Sequence, residues 1–230
     1  MSDPGSISGV WREAREIVSR YPSATIIPGA VLGAIAEVPH YFIEERLFIG
    51  TALTYVTAAL AYYLYLAYAE EIAVEYESGT ERITLRGMLR ELWDATSYVS
   101  RALAAGLATL ASTSVATGLL VIPGAWLYTR WSLATPVIRK EGLGALAATR
   151  RSNRLVRGRF WFAFLTATVA YYLEEVVIHA GAEAALLVTG SSTWGEWVGG
   201  SMVAALVIPL AAFATSLAYS SLARLAPQPS

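Results

Sequence analysis

The sequence predicts an all-α polytopic membrane protein, a bundle of about six transmembrane helices with short amphipathic helices at the interface. Three observations support this fold class. Hydrophobic residues make up 55% of the 230-residue chain and charged residues only 15%. The mean hydropathy of +0.47 is too high for a soluble domain of this length. The apolar residues also form runs of about 20, the length that crosses a bilayer core. We therefore expect one integral membrane domain over residues 1–230.

Six apolar runs define the predicted spans in chain order. They cover residues 22–43, 48–69, 102–120, 122–138, 160–182 and 198–222. The third and fourth runs meet at the VIPGAW stretch, where Pro123 and Gly124 favour a tight turn. We expect these two spans to form an antiparallel hairpin.

Three further segments show the spacing of amphipathic helices. Apolar residues recur at helical intervals in residues 7–20 and 84–99, and residues 141–161 combine a weaker apolar stripe with five arginines. Such helices can lie at the headgroup boundary with their arginines facing lipid phosphate. They can equally pack on the bundle itself, and the sequence does not distinguish these two positions.

The positive charges indicate how the chain is oriented. Of the 17 lysine and arginine residues, only Arg46 belongs to a loop on the side opposite the termini, and Arg130 lies inside a span. The positive-inside rule therefore predicts a multi-pass protein of the cell membrane with both termini in the cytoplasm. This orientation places both histidines of the chain in or near the outer half of the bilayer.

Each of those histidines lies among carboxylates in a predicted span or at its end. The residues are Glu37, His40 and Glu44 in one group and Glu175, His179 and Glu183 in the other. Spacings of three or four residues place each group along one helical face. Imidazole and carboxylate ligands suit a divalent transition metal such as zinc, iron or manganese. There are two alternatives to a metal site. These glutamate and histidine residues could relay protons or cations, or they could be solvated residues with a purely structural role.

Two other charged residues lie within predicted spans. Arg130 lies about 12 Å inside the cytoplasmic end of the fourth span at about 1.5 Å per residue. A charge in hydrocarbon costs roughly 2.5–3.5 kcal/mol on insertion scales. We expect Arg130 either to extend its side chain to the interface or to pair with Glu174 or Glu175 of the fifth span. A substrate-binding role for Arg130 is the alternative.

A basic segment is the predicted lipid-binding surface. Its arginines are Arg150, Arg151, Arg154, Arg157 and Arg159. Guanidinium groups bind phosphate oxygens, so membrane lipids with anionic headgroups are the expected ligands. A protein partner or a second copy of the chain is the other candidate. Nucleic acid is not expected, because the basic residues line a membrane face and no recognition fold is present.

Residues 126–164, WLYTRWSLATPVIRKEGLGALAATRRSNRLVRGRFWFAF, carry a recognisable pattern. Its features are Arg130, Trp131, Pro136, Glu141, Arg151, Ser152, Leu155, Gly158, Arg159, Phe160 and Trp161. The stretch resembles the membrane domain of glycerophosphoryl diester phosphodiesterases and the related YciC-like bacterial membrane proteins. That resemblance implies a helical membrane module. The phosphodiesterase activity of those enzymes belongs to a separate soluble barrel, for which residues 1–230 leave no room beside six spans.

We therefore expect a non-enzymatic membrane module that binds lipid or a partner protein. The alternative is a transporter or a metal-dependent membrane enzyme that uses the glutamate and histidine residues and opens to the outer side. The sequence contains no HExxH, GxSxG or glycine-rich phosphate-binding motif, so no catalytic residue is predicted.

Overall fold

The computed structural model describes residues 6–42, 48–79, 83–94, 96–119, 121–190 and 192–225. The helices are α1 (Ile7–Arg20), α2 (Pro22–Phe42), α3 (Phe48–Glu77), α4 (Leu85–Asp94), α5 (Thr96–Leu119), α6 (Val121–Trp131), α7 (Ala134–Glu141), α8 (Ala145–Val156), α9 (Phe160–Ala163), α10 (Val169–Thr189) and α11 (Thr193–Leu225), with a π-helical turn at Phe164–Thr168 between α9 and α10. These ranges contain no strand, which confirms the all-α prediction for the described part of the chain.

Three helical stretches are long and apolar enough to cross a membrane. They are Pro22–Pro39 in α2, Phe160–Thr189, and α11. They correspond to the first, fifth and sixth predicted spans, and they are compatible with a membrane helix bundle. The predicted count of six spans is not confirmed.

The fourth predicted span, residues 122–138, is not one continuous helix. The first part, α6, ends at Trp131, and α7 begins at Ala134 after a short break. At about 1.5 Å per residue, the 11 residues of α6 reach roughly half of the ~30 Å bilayer core. Pro123 and Gly124 also lie in the first turn of α6. Proline has no N–H group, but the N–H groups of a first turn have no partner within the helix, so proline is tolerated there. The predicted turn at these two residues is therefore wrong, although α5 and α6 do pack together as a hairpin requires.

The central element of the bundle is α11, which packs against α1, α2, α3 and α10. Its residues from 211 to 222 are all buried. Small side chains allow the close approach of neighbouring helices, as at Gly33 of α2, where a Cβ atom would lie 2.6 Å from the Cβ of Ala204. This contact fixes how closely α2 and α11 can approach each other.

Two hydrophobic clusters connect α11 to other helices of the bundle. The first joins α1, α3 and α11 through residues such as Ile17, Tyr65 and Phe213. The second joins α7, α8 and α11 and includes Val137 and Val156. Because this second cluster anchors both short helices, it fixes the position of the charged side chains that α7 and α8 carry.

The three segments predicted as amphipathic helices are helical over most of their described length, as α1, α4 with the start of α5, and α8. The apolar residues Val10, Ala14 and Ile17 of α1 are buried in the bundle. In α4, Met88 is buried and Trp93 is 79% exposed. The position of these helices at a membrane interface stays a prediction.

Candidate functional site

A recess of about 400 Å³ lies where the C-terminal end of α8 meets the end of α11. We call it the arginine recess. Its lining residues are Arg151, Arg154, Leu155, Arg157, Gly158, Arg159, Leu222 and Leu225. Four of the five arginines predicted for lipid binding therefore converge on one concave surface, while Arg150 is exposed and lies outside the lining.

The local sequence explains why these arginines converge. Helix α8 ends at Val156, and the next turn is closed by a 3.0 Å hydrogen bond from the N–H group of Arg159 to the carbonyl of Val156. Gly158 adopts a φ of 88°, a conformation that disfavours other residues. The chain thus turns between Arg157 and Arg159. Both side chains stay close to Arg154 in the last turn of α8.

Ser152 holds α8 against the break between α6 and α7. Its side chain is fully buried. The hydroxyl group donates a 2.8 Å hydrogen bond to the carbonyl of Arg130 and accepts a 3.2 Å hydrogen bond from the N–H group of Leu133. One side chain therefore satisfies backbone groups on both sides of the break, which fixes α8 and the recess it borders.

The charges in the recess are unevenly compensated. The Nε atom of Arg151 lies 3.0 Å from both carboxylate oxygens of Glu141. Tyr219 donates a further 3.0 Å hydrogen bond to Glu141. Within the described ranges, no carboxylate lies within salt-bridge distance of Arg154, Arg157 or Arg159. These three cations therefore give the recess an excess of positive charge.

A second group of charged residues fixes α7 against α3 and α11. Arg139 donates two hydrogen bonds to Glu71, of 2.6 and 2.8 Å. Lys140 lies 2.9 Å from Glu77 and 3.1 Å from the hydroxyl oxygen of Ser220, which in turn donates to Glu77. Arg139 and Lys140 lie in the last turn of α7, where the helix dipole favours positive charge.

We call Glu70, Glu71, Glu77, Arg139 and Lys140 the charge cluster. The cluster was not predicted from the sequence, because its partners are far apart along the chain, 68 residues in the case of Arg139 and Glu71. The available signal was the opposite sign of two short runs, the glutamates at 70–71 and the basic pair at 139–140.

The predicted glutamate and histidine site is described only in part. His179 and Glu183 lie on an exposed face of α10, where they line a recess of about 420 Å³ with Val176 and Ala180. Glu37 is partly buried in α2. Glu44 and the side chains of His40 and Glu175 lie outside the described residues. Among the side chains that are described, no group of three or more histidine and acidic residues is arranged to hold a metal ion. The metal site stays a prediction.

The two charged residues that were predicted to lie within the membrane have different surroundings. The guanidinium carbon of Arg130 lies 3.9 Å from the ring centroid of Trp126, one turn earlier on α6, which is a cation–π contact. Glu174 is 4% exposed and lies within electrostatic range of Tyr62 and Tyr65 of α3. The stacking of Arg130 on Trp126 was not anticipated from the sequence.

No family model, no curated protein and no solved structure matches this chain. The resemblance of residues 126–164 to the phosphodiesterase membrane domain therefore stays a prediction.

Proposed function

We propose that the protein is an integral membrane module that binds the phosphate headgroups of anionic lipids in the arginine recess. The single observation that carries this proposal is the convergence of Arg154, Arg157 and Arg159 on one recess, with no carboxylate of the described residues within salt-bridge distance of these three. Uncompensated cations of this kind are stabilised when an anion enters. Arginine suits phosphate because its planar donors can form two parallel hydrogen bonds with the phosphate oxygens.

The apolar part of the lining favours a lipid over a free anion. Leu155, Leu222 and Leu225 border the same recess as the arginines. A headgroup phosphate would contact the arginines while the adjoining glycerol and acyl carbons contact the leucines. In the proposed orientation, with both termini in the cytoplasm, the recess faces the leaflet in which anionic lipids concentrate.

The proposed activity is binding, without a chemical step. The recess is lined by arginine and leucine side chains and by the backbone of Gly158, none of which acts as a general base or nucleophile at neutral pH. The membrane lipid is therefore the ligand. Binding of a partner protein or a second copy at the same surface would compete with it.

The experiment compares two triple variants of the detergent-purified protein with matched loss of charge. One carries Arg154→Gln, Arg157→Gln and Arg159→Gln, and the control carries Arg12→Gln, Arg15→Gln and Arg150→Gln at exposed positions outside the recess. Affinity is measured for short-chain phosphatidic acid, for phosphatidylcholine of equal chain length, and for inorganic phosphate.

We expect the wild type and the control variant to bind phosphatidic acid more tightly than either other ligand. Hydrogen bonds to charged groups contribute about 1.5–3 kcal/mol each, so the recess variant should lose at least about tenfold in affinity. Equal affinity in the two triple variants would contradict the site. Equal affinity for inorganic phosphate and phosphatidic acid would contradict a role for the leucines.

A further inference from the structure

Glu70 is the most isolated carboxylate in the charge cluster. It is the first residue after the predicted second span and its side chain is 0% exposed. Among the described residues, neither of its carboxylate oxygens has a partner in good hydrogen-bond geometry. The buried hydroxyl of Ser216, which faces Glu70 from α11 closely enough to lower the pKa of the carboxyl, has no such partner either. Buried polar atoms are nearly always hydrogen-bonded, so three such atoms at one position require an explanation.

The charges around Glu70 do not balance if it is ionised. It faces Arg139 and Lys140 from α7, Tyr98 from α5, Ser216 and Tyr219 from α11, and Glu71 and Glu77 on its own helix. Arg139 is paired with Glu71 and Lys140 with Glu77. The adjoining Glu141 and Arg151 form a third balanced pair. An ionised Glu70 would therefore leave one excess negative charge, buried and without a partner.

A bound proton removes that excess charge. Burial raises the pKa of Glu70 from the ordinary value of 4.5 to about 7, and the nearby Lys140 lowers it only in part. The Ser216 hydroxyl group can donate to either form of Glu70, and protonation adds an O–H donor that can in turn give a hydrogen bond to Ser216. A cluster with a neutral Glu70 has two carboxylates and two cations in matched pairs.

We propose that Glu70 is a proton-binding site that exchanges its proton with water near neutral pH and that Lys140 tunes its affinity. The proton adds to one carboxylate oxygen and comes from the surrounding water, so no other reactant is needed. When the proton leaves, the ionised carboxylate competes with Glu77 for Lys140. The state of Glu70 thereby alters the contacts that hold α7 on α3 and α11.

The experiment follows the carboxylic acid C=O stretch by infrared spectroscopy while the pH of the purified protein is varied. The variants are Glu70→Gln, which has nearly the same shape, Lys140→Gln, and Glu16→Gln as a control at an exposed carboxylate of α1. We expect a wild-type acid band that fades around pH 7, is missing from Glu70→Gln and is unchanged in Glu16→Gln. Loss of Lys140 should move the midpoint to higher pH.

Two outcomes would overturn the proposal. The first is an acid band near neutral pH that persists in Glu70→Gln, or a wild type in which every glutamate carboxyl titrates near the ordinary value of 4.5. The titration of the wild type tests the proposal even if the Glu70→Gln variant fails to fold. The second is a stabilising effect of sodium at alkaline pH that choline does not reproduce and that Glu70→Gln does not show. Glu70 would then bind an alkali cation instead of a proton.

Discussion

The hydroxyl group of Ser152 donates a hydrogen bond of 2.8 Å to the backbone carbonyl of Arg130, 22 residues earlier in the chain. The same oxygen accepts from the N–H group of Leu133. These two backbone groups flank the break between α6 and α7, where helical hydrogen bonds are interrupted. The serine therefore replaces partners that a continuous helix would have provided.

We expect Ser152→Ala to destabilise the protein by about 1–3 kcal/mol, because it leaves a buried donor and a buried acceptor unpaired. The free energy of unfolding in detergent measures this loss. Ser100→Ala is the matched control, since Ser100 is exposed and only hydrogen-bonds a carbonyl within its own helix. A similar loss in both variants would show that the bridge across the break contributes nothing of its own.

Arg139→Met should cost about 3–5 kcal/mol, because it leaves the carboxylate of Glu71 buried and uncompensated. The side chain of Glu71 is only 4% exposed. Adding Glu71→Gln to this variant should recover part of the loss, since the stranded charge is then removed. Chemical denaturation of the two single variants, the double variant and the wild type gives the coupling energy, and purely additive losses would contradict a direct pair.

The stability of the wild type relative to Glu70→Gln should fall as pH rises. The pKa of Glu70 is about 7 in the folded protein and 4.5 is its ordinary value, so the folded state binds more protons than the unfolded state between these two values. The stability that the wild type gains from protonated Glu70 is fully present below about pH 4.5 and decreases between about pH 4.5 and pH 7. Above about pH 7 it stays constant, and the total change in the free energy of unfolding is about 3 kcal/mol.

Thermal unfolding of both proteins at a series of pH values measures this difference. The Glu16→Gln variant serves as the control and should follow the wild type throughout the interval. A difference between wild type and Glu70→Gln that is the same at every pH would show that Glu70 does not change its protonation state there.

Gly33→Ala should force α2 away from α11, because the added methyl group would lie 2.6 Å from the Cβ of Ala204. Overpacking of this kind costs about 1–3 kcal/mol. Ala204→Gly in the same protein removes the opposing methyl group and should restore most of the stability. Unfolding in detergent tests both variants, and a double variant no more stable than Gly33→Ala would contradict this direct contact.

Trp126→Leu should cost about 0.5–2 kcal/mol through loss of the cation–π contact with Arg130. Trp93→Leu, at a ring that is 79% exposed, is the control for removal of an indole. The effect should disappear when Arg130 is already replaced by methionine. Equal losses from Trp126→Leu with and without Arg130 would show that the indole ring acts through apolar packing alone.

Local patterns predicted those features that depend on neighbours along the chain. The helix at residues 7–20 was expected from its apolar spacing, and in the structure it begins after Ser6, whose hydroxyl group accepts a hydrogen bond from the N–H group of Gly9. The arginines of the recess were likewise visible as one basic segment. The sequence did not show that Arg151 pairs with Glu141. Nor did it show that Arg154, Arg157 and Arg159 have no acidic partner among the described residues.

Long-range features were harder to predict for a physical reason. The apolar run through Leu133, Val137 and Ile138 indicates burial, but it does not reveal whether lipid or protein covers these side chains. In the structure they pack within the protein, and the helix breaks where Ser152 supplies hydrogen bonds from another element. Sequence periodicity contains no information about a partner about 20 residues away.

The short helix α8 lies between two glycines with positive φ, Gly142 at 69° and Gly158 at 88°. Each glycine lies just beyond the end of a helix, and the helix between them is held on the bundle by the buried residues Ala148, Thr149, Ser152, Leu155 and Val156. In evolutionary terms, this segment can exchange its exposed arginines for other residues without any change in the three helices that are long and apolar enough to cross a membrane. Under the proposed function, ligand preference and membrane insertion would be inherited as separate traits of one short chain.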